Sequence, residues 1–516
     1  MPCFLYINFN KNIFLLSFFA EVKIIHYAVF YFLKKAWVLL MSKTEKNNIK
    51  VSFVGKAAEQ VTGSSFLIET PTKKILVECG FSQGKTLLED YKNNSQKFKF
   101  KPKELDYVIL LHGHMDHIGN VPRLYKENCG AKIIIPKGSK ELYSLMWEDG
   151  AHILLQDSKD LSRKFKKDYE PIYERQHVLL AQSFMEEFAV SEKIKVDEDL
   201  EIKYIPSGHI INAFQVEMWV RSINKIVKIA YTSDLGNIKI DNYYTTKFQP
   251  ITKANLIISE NTYNDLIRNK ATQKARKKDR EKILTVIKQH CMGWGGKVMF
   301  PTFSLHRCQL ILTELYDLFG EDKNFNIPIL IDSPLSIKIS KYFLNILEGE
   351  QKKKFEKVMT WKNIKKLNEF EENQFYLYGK TPCVFLSASG MMQAGRSVSN
   401  AKVLLRDSKN CIVFCGYSIE GSLSWRLKQK KNKTIMIEGE KIPNKANVVI
   451  LNSFSSHMQR DDLLEYLSNG IFDKIALVHG NWDNKIIFGR DLQELLSKKN
   501  KSGKVIIANH STKINF

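Results

Sequence analysis

The sequence predicts an α/β protein with two kinds of sheet, and three observations carry this prediction. Residues 51–250 consist of short apolar runs separated by Gly, Asp and Asn, a pattern typical of a sheet-rich domain. Residues 251–438 alternate apolar runs with amphipathic segments, which indicates helices around a parallel sheet. Residues 439–516 return to apolar runs and carry further histidines. A chain of 516 residues has room for two or three domains.

The most informative element of the first segment is the apolar run 107–111, which predicts a buried strand. Directly after it stand His112, His114, Asp116 and His117. Zinc prefers nitrogen and oxygen ligands of this kind in sites that leave room for water. We expect the first two histidines to share one metal ion, while the aspartate and the third histidine turn towards a second. Two ions about 3.5–4 Å apart would form a hydrolytic centre. A structural role suits a single histidine better than four ligands in six positions.

The second segment contains alternating strand and helix candidates. Strands are predicted at 256–258, 298–300, 328–331, 384–386 and 412–414, and helices at 278–290 and 307–319. A strand that is followed by a helix and another strand favours parallel pairing. The third segment adds strand candidates at 448–451, 474–478 and 505–507.

The composition points to a polyanionic partner and a reducing compartment. The formal net charge is +23, which makes nucleic acid the first candidate partner. A solvated, lysine-rich surface is the alternative, because lysine rather than arginine supplies most of this charge. The eight cysteines are scattered without a CxxC pair, which favours the cytoplasm and argues against a thiolate metal site.

Residues 1–40 differ from the rest of the chain. They are rich in Phe, Ile, Tyr and Leu, but charged residues keep every apolar stretch shorter than the ~18–20 residues of a membrane span. Our hypothesis is that Met41 is the true start and that 1–40 is an over-extended reading frame. The alternative is a membrane anchor, so we predict no membrane contact unless residues 1–40 are genuine.

Eight short segments taken in order resemble those of a known family. They are 61–68, 77–84, 112–117, 206–210, 231–236, 259–263, 453–457 and 478–480. With them, residues 51–516 resemble the metallo-β-lactamase superfamily, specifically its β-CASP nuclease branch in the bacterial single-unit form. The resemblance implies an αββα metallo-β-lactamase fold with an inserted β-CASP α/β domain. The expected division is 51–250 and 439–516 for the first domain and 251–438 for the insert.

The resemblance also implies a metal centre with two zinc ions, although manganese is compatible with such ligands. One ion would take His112, His114 and His209, the other Asp116, His117 and His479, with Asp234 bridging them. Glu78 stands where the family usually has an aspartate that supports the ligands from behind. A water activated by the metals would attack phosphorus.

Further site residues follow from the same resemblance. Asp116 and the pair His457 and Glu260 are the expected catalytic residues, with His457 as general acid for the leaving O3′ and Glu260 orienting it. Products would carry 5′-phosphate and 3′-hydroxyl ends. His479 places the chain on the RNA-processing side, because DNA-processing members of the Artemis type carry valine there.

Five residues of the insert are expected to contact RNA. Ser387, Ser389 and Gly390 form a turn that could present N–H groups to a phosphate, although a plain tight turn is equally compatible. Ser304 and Arg307 lie at a predicted helix start, where the helix dipole and a guanidinium would favour phosphate.

The expected function is hydrolysis of single-stranded RNA in the cytoplasm, endonucleolytic or also 5′→3′ exonucleolytic. The family resemblance leaves a homodimer open. One alternative is a small-molecule hydrolase of the thioesterase or lactonase type, which the histidine cluster alone would permit. The other is a non-catalytic RNA-binding scaffold, for which lost metal ligands would be expected.

Overall fold

The computed structural model describes residues 48–516 except 85, 223–224, 241, 266–270, 417 and 430–431. Its strands are β1 (Lys50–Phe53), β2 (Phe66–Glu69), β3 (Lys74–Val77), β4 (Tyr107–Ile109), β5 (Lys132–Pro136), β6 (Met185–Phe188), β7 (Ile194–Lys195), β8 (Leu200–Pro206), β9 (Phe214–Ser222), β10 (Lys225–Tyr231), β11 (Lys253–Ser259), β12 (Lys297–Pro301), β13 (Ile329–Asp332), β14 (Ile364–Lys366), β15 (Cys383–Ser387), β16 (Cys411–Phe414), β17 (Thr434–Ile437), β18 (Glu440–Pro443), β19 (Asn447–Ile450), β20 (Ile471–Leu477), β21 (Lys504–Ile507) and β22 (Lys513–Asn515).

Its α-helices are α1 (Leu87–Ser95), α2 (Met115–Ile118), α3 (Val121–Lys126), α4 (Lys140–Phe165), α5 (Arg175–Ser183), α6 (Gln273–Ile287), α7 (Arg307–Phe319), α8 (Pro334–Ile346), α9 (Gly349–Met359), α10 (Phe370–Tyr378), α11 (Arg396–Leu404), α12 (Leu423–Lys428), α13 (Arg460–Asn469) and α14 (Trp482–Lys498). The predicted extension 1–40 lies outside the described residues. Within 48–516, apart from the gaps, no helix combines the length and the apolar composition that crossing a bilayer requires.

Two seven-stranded sheets pack face to face. Their orders are β22-β1-β2-β3-β4-β5-β6 and β21-β20-β11-β10-β9-β8-β7. Inward-facing side chains of both sheets, such as Val51 and Val216, form the shared core. Trp147 of α4 covers the outer side of the first sheet, and Leu467 of α13 and Phe488 of α14 cover the second. The predicted αββα arrangement is therefore confirmed.

A third, six-stranded sheet forms the insert. Its order is β14-β13-β15-β12-β16-β19, and every pair in it is parallel. Side chains of α6, α7 and α8 pack on one face, and those of α11 and α12 on the other. Because all strands run the same way, their carboxyl ends lie along one edge of the sheet. The start of α8 shows how the sequence fixes this edge, since Ser333 caps the helix by accepting a hydrogen bond from the Ser336 N–H, with Pro334 at the first helical position.

Strand pairing divides the chain near, but not at, the boundaries that the sequence predicts. Strand β11 pairs with β10 and β20 in the second sandwich sheet, although it follows the predicted boundary at 251. Strand β19 pairs with β16 in the third sheet, although it follows the predicted boundary at 439. A short buried apolar run has the same pattern in either sheet, so the sequence does not tell which sheet receives it. We propose that the insert runs from about residue 260 to 450.

Candidate metal centre

The histidine-rich loop lies just beyond the end of β4. After the buried residues 110 and 111, His114 precedes the helical turn α2, which contains Asp116 and His117. Gly80 packs tightly against this turn, because a Cβ atom added to it would lie 1.6 Å from the carbonyl oxygen of Asp116. Gly80 is thus required by a close backbone approach rather than by ligand chemistry.

Four other functional side chains reach the same place from the second sheet. Asp234 follows β10, Glu260 follows β11 and His479 follows β20. These three strands are parallel neighbours, so their carboxyl ends meet at one edge, where ligands bind in α/β sheets. His209 follows β8, which runs in the same direction because β9 between β8 and β10 is antiparallel to both.

The candidate ligands form two groups with Asp234 between them. In each group the ligand atoms lie within 4.8 Å of one another; the groups are His112, His114, His209 and Asp234, and Asp116, His117 and His479. Oδ2 of Asp234 lies 3.7 Å from His112 Nε2 and 3.5 Å from His209 Nε2. Its Oδ1 lies 3.3 Å from His117 Nε2 and 3.6 Å from His479 Nδ1. The Asp234 carboxylate therefore faces both groups.

Buried nitrogen atoms without partners show that these residues fit divalent metal ions. The Nε2 atoms of His112, His117 and His479 make no hydrogen bond within the described part of the chain. Aspartate oxygens stand 3.3–3.7 Å from them, too far for a good hydrogen bond. Two ligands of one tetrahedral zinc ion, each about 2.0–2.2 Å from the metal, stand about 3.4 Å apart. The observed spacing matches that of ligands sharing an ion.

Electrostatics keeps most of these histidines neutral. Burial lowers the pKa of His114 to about 4 and holds the pKa of His112 and His209 well below the usual value. The neutral imidazole is the form that binds a metal. Burial also lowers the pKa of His117, but the Glu78 carboxylate and the neighbouring aspartates outweigh it and raise that pKa well above the usual value.

Glu78 is hydrogen-bonded behind two of the candidate ligands, His112 and His117, directly or through Ser233. Its Oε2 accepts hydrogen bonds from His117 Nδ1 at 2.6 Å and from the Tyr231 hydroxyl at 2.8 Å. Its Oε1 accepts one from Ser233 Oγ at 2.8 Å, and this hydroxyl lies 3.1 Å from His112 Nδ1. Holding Nδ1 turns Nε2 of each ring towards Asp234. The longer glutamate side chain is thus accommodated with both oxygens paired.

Sequence reasoning missed three residues that support the ligands: Tyr231, Ser233 and Thr262. The first two bind Glu78, and Thr262 Oγ1 lies 2.9 Å from Nδ1 of His479. All three lie within motifs 231–236 and 259–263, one to three positions from a predicted functional residue. A hydroxyl beside such a residue at a strand end is the signal that could have found them.

His457 and Glu260 lie together beside the metal ligands. Nδ1 of His457 is 3.4 Å from Glu260 Oε1, which also accepts a hydrogen bond from the Leu235 N–H at 2.6 Å. The other oxygen, Oε2, accepts one from the Thr262 N–H at 3.2 Å. Burial lowers the pKa of His457, but the Glu260 carboxylate outweighs this effect and raises the pKa above its usual value. The side chain of His457 is 20% exposed, against 1–2% for the ligands His112, His209 and His479.

A cleft of about 1520 Å³ opens over the centre between the sandwich and the insert. The sandwich contributes metal ligands and a wall of α4 with Met146, Ile153 and Leu155. The insert contributes segments 303–307, 332–335 and 388–396. Residues of both the sandwich and the insert therefore line the cleft over the candidate metal centre.

Four of the five residues predicted to contact RNA line this cleft or border it, Arg307 among them. Ser304 and Ser389 line it, and Gly390 packs on the backbone of Phe303, where an added Cβ would lie 3.0 Å from the Phe303 nitrogen. Ser387 is fully buried instead, and its hydroxyl donates to Asp332 Oδ2 at 2.8 Å. Its side chain belongs to a polar network inside the insert rather than to the cleft.

Arg307 has different contacts from those that the sequence predicts. It begins α7 as expected and lines the cleft, but its half-buried side chain donates to the carbonyl oxygens of Cys415 and Phe454. Its Nη2 lies 3.5 Å from Ser456 Oγ. These partners belong to the end of β16 and to the loop that carries His457. The sequence pattern predicts that Arg307 lies at the start of a helix but not where its guanidinium points. In the structure the guanidinium points to the loops that contain Cys415 and Phe454.

Comparisons with known proteins agree with this architecture. Residues 58–171 match the model of the metallo-beta-lactamase superfamily, and residues 308–427 match that of the Beta-Casp domain. Ribonuclease TTHA0252 of Thermus thermophilus is 27% identical over 440 residues, which are 84% of this chain and 94% of the relative. Cleavage and polyadenylation specificity factor subunit 3-II of Arabidopsis thaliana is 27% identical over 445 residues, 84% of this chain and 67% of the relative. A crystal structure of a protein of unknown function from Enterococcus faecalis V583 matches 91% of this chain and 100% of its own at a TM-score of 0.50 and 12% identity, which concerns the fold alone.

The αββα sandwich, the histidine–aspartate centre and the match over 58–171 define the class: the chain belongs to the metallo-β-lactamase superfamily. The inserted parallel sheet and the match over 308–427 then place it in the β-CASP branch of that superfamily. The family predicted from the motifs is confirmed.

Proposed function

We propose that the protein is a metal-dependent ribonuclease that cleaves single-stranded RNA internally. The observation that carries this proposal is the His457–Glu260 pair beside two groups of metal ligands. Phosphodiester hydrolysis needs charge stabilisation at phosphorus and a proton for the leaving oxygen, and these groups are suited to supply both. RNA as substrate is supported by the relative named ribonuclease, of which the chain covers 94%.

We assign His112, His114 and His209 to one ion and Asp116, His117 and His479 to the other, with Asp234 shared. Ions bound there would lower the pKa of water towards ~7 and neutralise charge on the phosphate oxygens. Zinc suits this set of nitrogen and oxygen ligands, and manganese is compatible with it. The ion count and identity belong to this proposal and are measured below.

His457 donates the proton to the leaving O3′ in this mechanism. Glu260 holds its Nδ1 side, so the Nε2 side is left to face the cleft. The attacking water loses one proton to solvent as its oxygen forms the new bond to phosphorus. The bond from phosphorus to O3′ breaks, O3′ leaves with the proton of His457, and solvent then returns a proton to His457. The products are a 3′-hydroxyl end and a 5′-phosphate end.

The test is cleavage of a 5′-labelled, unstructured RNA by the full chain with zinc or manganese, with bound metal counted by mass spectrometry. His457→Ala should keep the metal content of the wild type and lose about 10²–10⁴-fold in rate. Asp116→Ala should lose metal and activity together. His152→Ala is the matched control, because this exposed histidine lines the same cleft without belonging to either metal group.

Each outcome separates the proposal from its rivals. Internal fragments that disappear in His457→Ala support an endonuclease, whereas mononucleotides alone indicate an exonuclease. Loss of metal in His457→Ala would contradict its role as an acid, since Asp234, Glu260 and His457 are also close enough to hold an ion. Intact RNA with bound metal would favour the small-molecule hydrolase, and RNA binding without metal would favour the scaffold.

Two further predictions concern the setting of the protein. The cytoplasmic location is inferred from the cysteine pattern, and the seven cysteines in the described part of the chain are free thiols in buried positions. The homodimer is a prediction from the family resemblance. Fractionation and sedimentation experiments on the full chain address the two questions separately.

A further inference from the structure

A second groove, of about 680 Å³, lies on the insert beside the edge strand β14 and helix α10. We call it the β14 groove. Its walls include Lys362, Lys365, Lys366, Glu372, Phe375 and Tyr376. None of these residues belongs to the metal centre.

Exposed aromatic rings mark the helix side of the β14 groove. Phe375 is 69% exposed, and its ring centre lies 5.2 Å from that of Tyr376, nearly at right angles. On the same short helix, Phe370 is 52% exposed and Tyr378 is 67% exposed. Single exposed aromatic residues are ordinary, but several on one helix beside a groove indicate a binding surface.

Positive charge lines the strand side of the groove. Lys362, Lys365 and Lys366 are exposed, and among the described residues none of them forms a salt bridge. The one acidic wall residue is Glu372. Its Oε2 accepts hydrogen bonds from the backbone N–H groups of Asn368 at 2.8 Å and Glu369 at 3.1 Å. Its charge is therefore compensated at the start of α10. Aromatic faces next to unpaired cations are the combination that binds single-stranded nucleic acid.

The groove begins at the sheet edge that borders the active-site cleft. In the register of the parallel sheet, Lys366 of β14 stands beside Ile331 of β13, one residue before the cleft residue Asp332. Neighbouring strands are about 4.8 Å apart, so the lateral distance is short. Arg396, which lines the cleft, donates to the carbonyl oxygen of Leu367 at 3.0 Å and thereby connects the two surfaces.

We propose that the β14 groove binds a stretch of single-stranded RNA that extends out of the cleft. A base would stack on Phe375 and Tyr376, and phosphates would lie against the three lysines. The inference rests on the proposed ribonuclease function and adds to it a second contact surface that only longer substrates reach. Such a surface makes cleavage dependent on substrate length.

The first test is the kinetics of Phe375→Ala on two RNA substrates of about 5 and about 25 nucleotides. We expect KM for the long RNA to rise about fivefold or more, as for loss of one stacked base, with kcat unchanged. Turnover of the short RNA should stay the same, because it does not reach the groove. Trp294→Ala is the matched control, since Trp294 is 47% exposed in the same insert. It lies before the start of β12, at the amino-terminal ends of the strands, away from the carboxyl ends that border the cleft.

A charge variant tests the lysine side independently. Lys365→Gln with Lys366→Gln should lower the salt dependence of long-RNA binding. The slope of the logarithm of the binding constant against the logarithm of salt concentration should decrease as for the loss of about 1–2 phosphate contacts. Lys504→Gln, on the edge strand β21 of the sandwich, should leave the slope unchanged.

The outcomes distinguish this inference from the proposed function. If the wild type cleaves neither RNA, the ribonuclease proposal fails. If it cleaves both and Phe375→Ala behaves as the wild type on the long RNA, or affects both lengths equally, the groove inference is overturned. A dimer in sedimentation that Phe375→Ala dissociates would instead assign the surface to a second copy of the chain.

Discussion

Glu78 gives the sharpest test of how the metal centre is held. Its carboxylate is buried and accepts a 2.6 Å hydrogen bond from His117 Nδ1. Replacing a residue that orients a metal ligand typically costs about 10–100-fold in metal affinity, or about 1.4–2.7 kcal/mol. We expect Glu78→Gln to fall in this range, because an amide NH₂ then faces a donor, either Nδ1 or one of the hydroxyls of Tyr231 and Ser233.

Glu78→Asp tests distance separately from charge. Removing one methylene withdraws the carboxylate by about 1.5 Å, which lengthens the 2.6 Å contact to His117 beyond hydrogen-bonding reach. We therefore expect Glu78→Asp to lose nearly as much affinity as Glu78→Gln, although aspartate is the usual residue of the family. The assay is zinc titration of metal-free protein against a chromophoric chelator, with circular dichroism to verify folding. Glu148→Gln, a cleft carboxylate outside the metal groups, is the control. Wild-type affinity in Glu78→Asp would refute the reasoning.

Two further predictions concern cationic side chains with carbonyl partners, Lys485 and Arg307. Burial lowers the pKa of Lys485 to about 8, below its unfolded value of about 10.4, so the fold favours the neutral amine and gains stability as pH rises from 8 to about 10.5. Lys485→Met should abolish this gain of about 3 kcal/mol in urea unfolding at the two pH values, and an equal gain in the variant would contradict it. Arg307→Met leaves the carbonyl groups of Cys415 and Phe454 without their donor and should lower the free energy of unfolding by about 2–4 kcal/mol. Exposed Arg490→Met should change it by less than about 0.5 kcal/mol.

The candidate metal ligands could be selected from the sequence because the identity of a possible ligand is a local feature. His112 to His117 follow a recognisable strand, and the other ligands stand at the ends of apolar runs that the fold brings to one edge. Other features depend on tertiary pairing. Strands β11 and β19 are short apolar runs whose sheet is chosen by their neighbours, so the boundaries at 251 and 439 lie on the wrong side of each strand if the domains follow the sheets.

The direction of a side chain was the second feature that the sequence did not predict. Ser387 and Arg307 occupy the predicted strand end and helix start, but Ser387 turns into a buried network with Asp332, and Arg307 turns to backbone carbonyl groups. Composition and spacing place a residue on an element without telling which neighbours will satisfy its polar atoms. The contacts of Thr262 with His479 and of Tyr231 with Glu78 also depend on tertiary structure, because they form only when the strands lie side by side.

The place of β20 in the second sheet has a consequence for synthesis of the protein. Translation produces the amino-terminal residues first. Thr262 therefore lacks its hydrogen-bonding partner until His479, 217 positions further along the chain, has been synthesised. A chain interrupted before residue 471 lacks β20, so β11 is left with one unpaired edge, and the candidate ligand His479 is missing. An unfinished polypeptide would then be prone to aggregation and without a complete hydrolytic centre, so that a message broken during translation would not yield an active fragment of the enzyme.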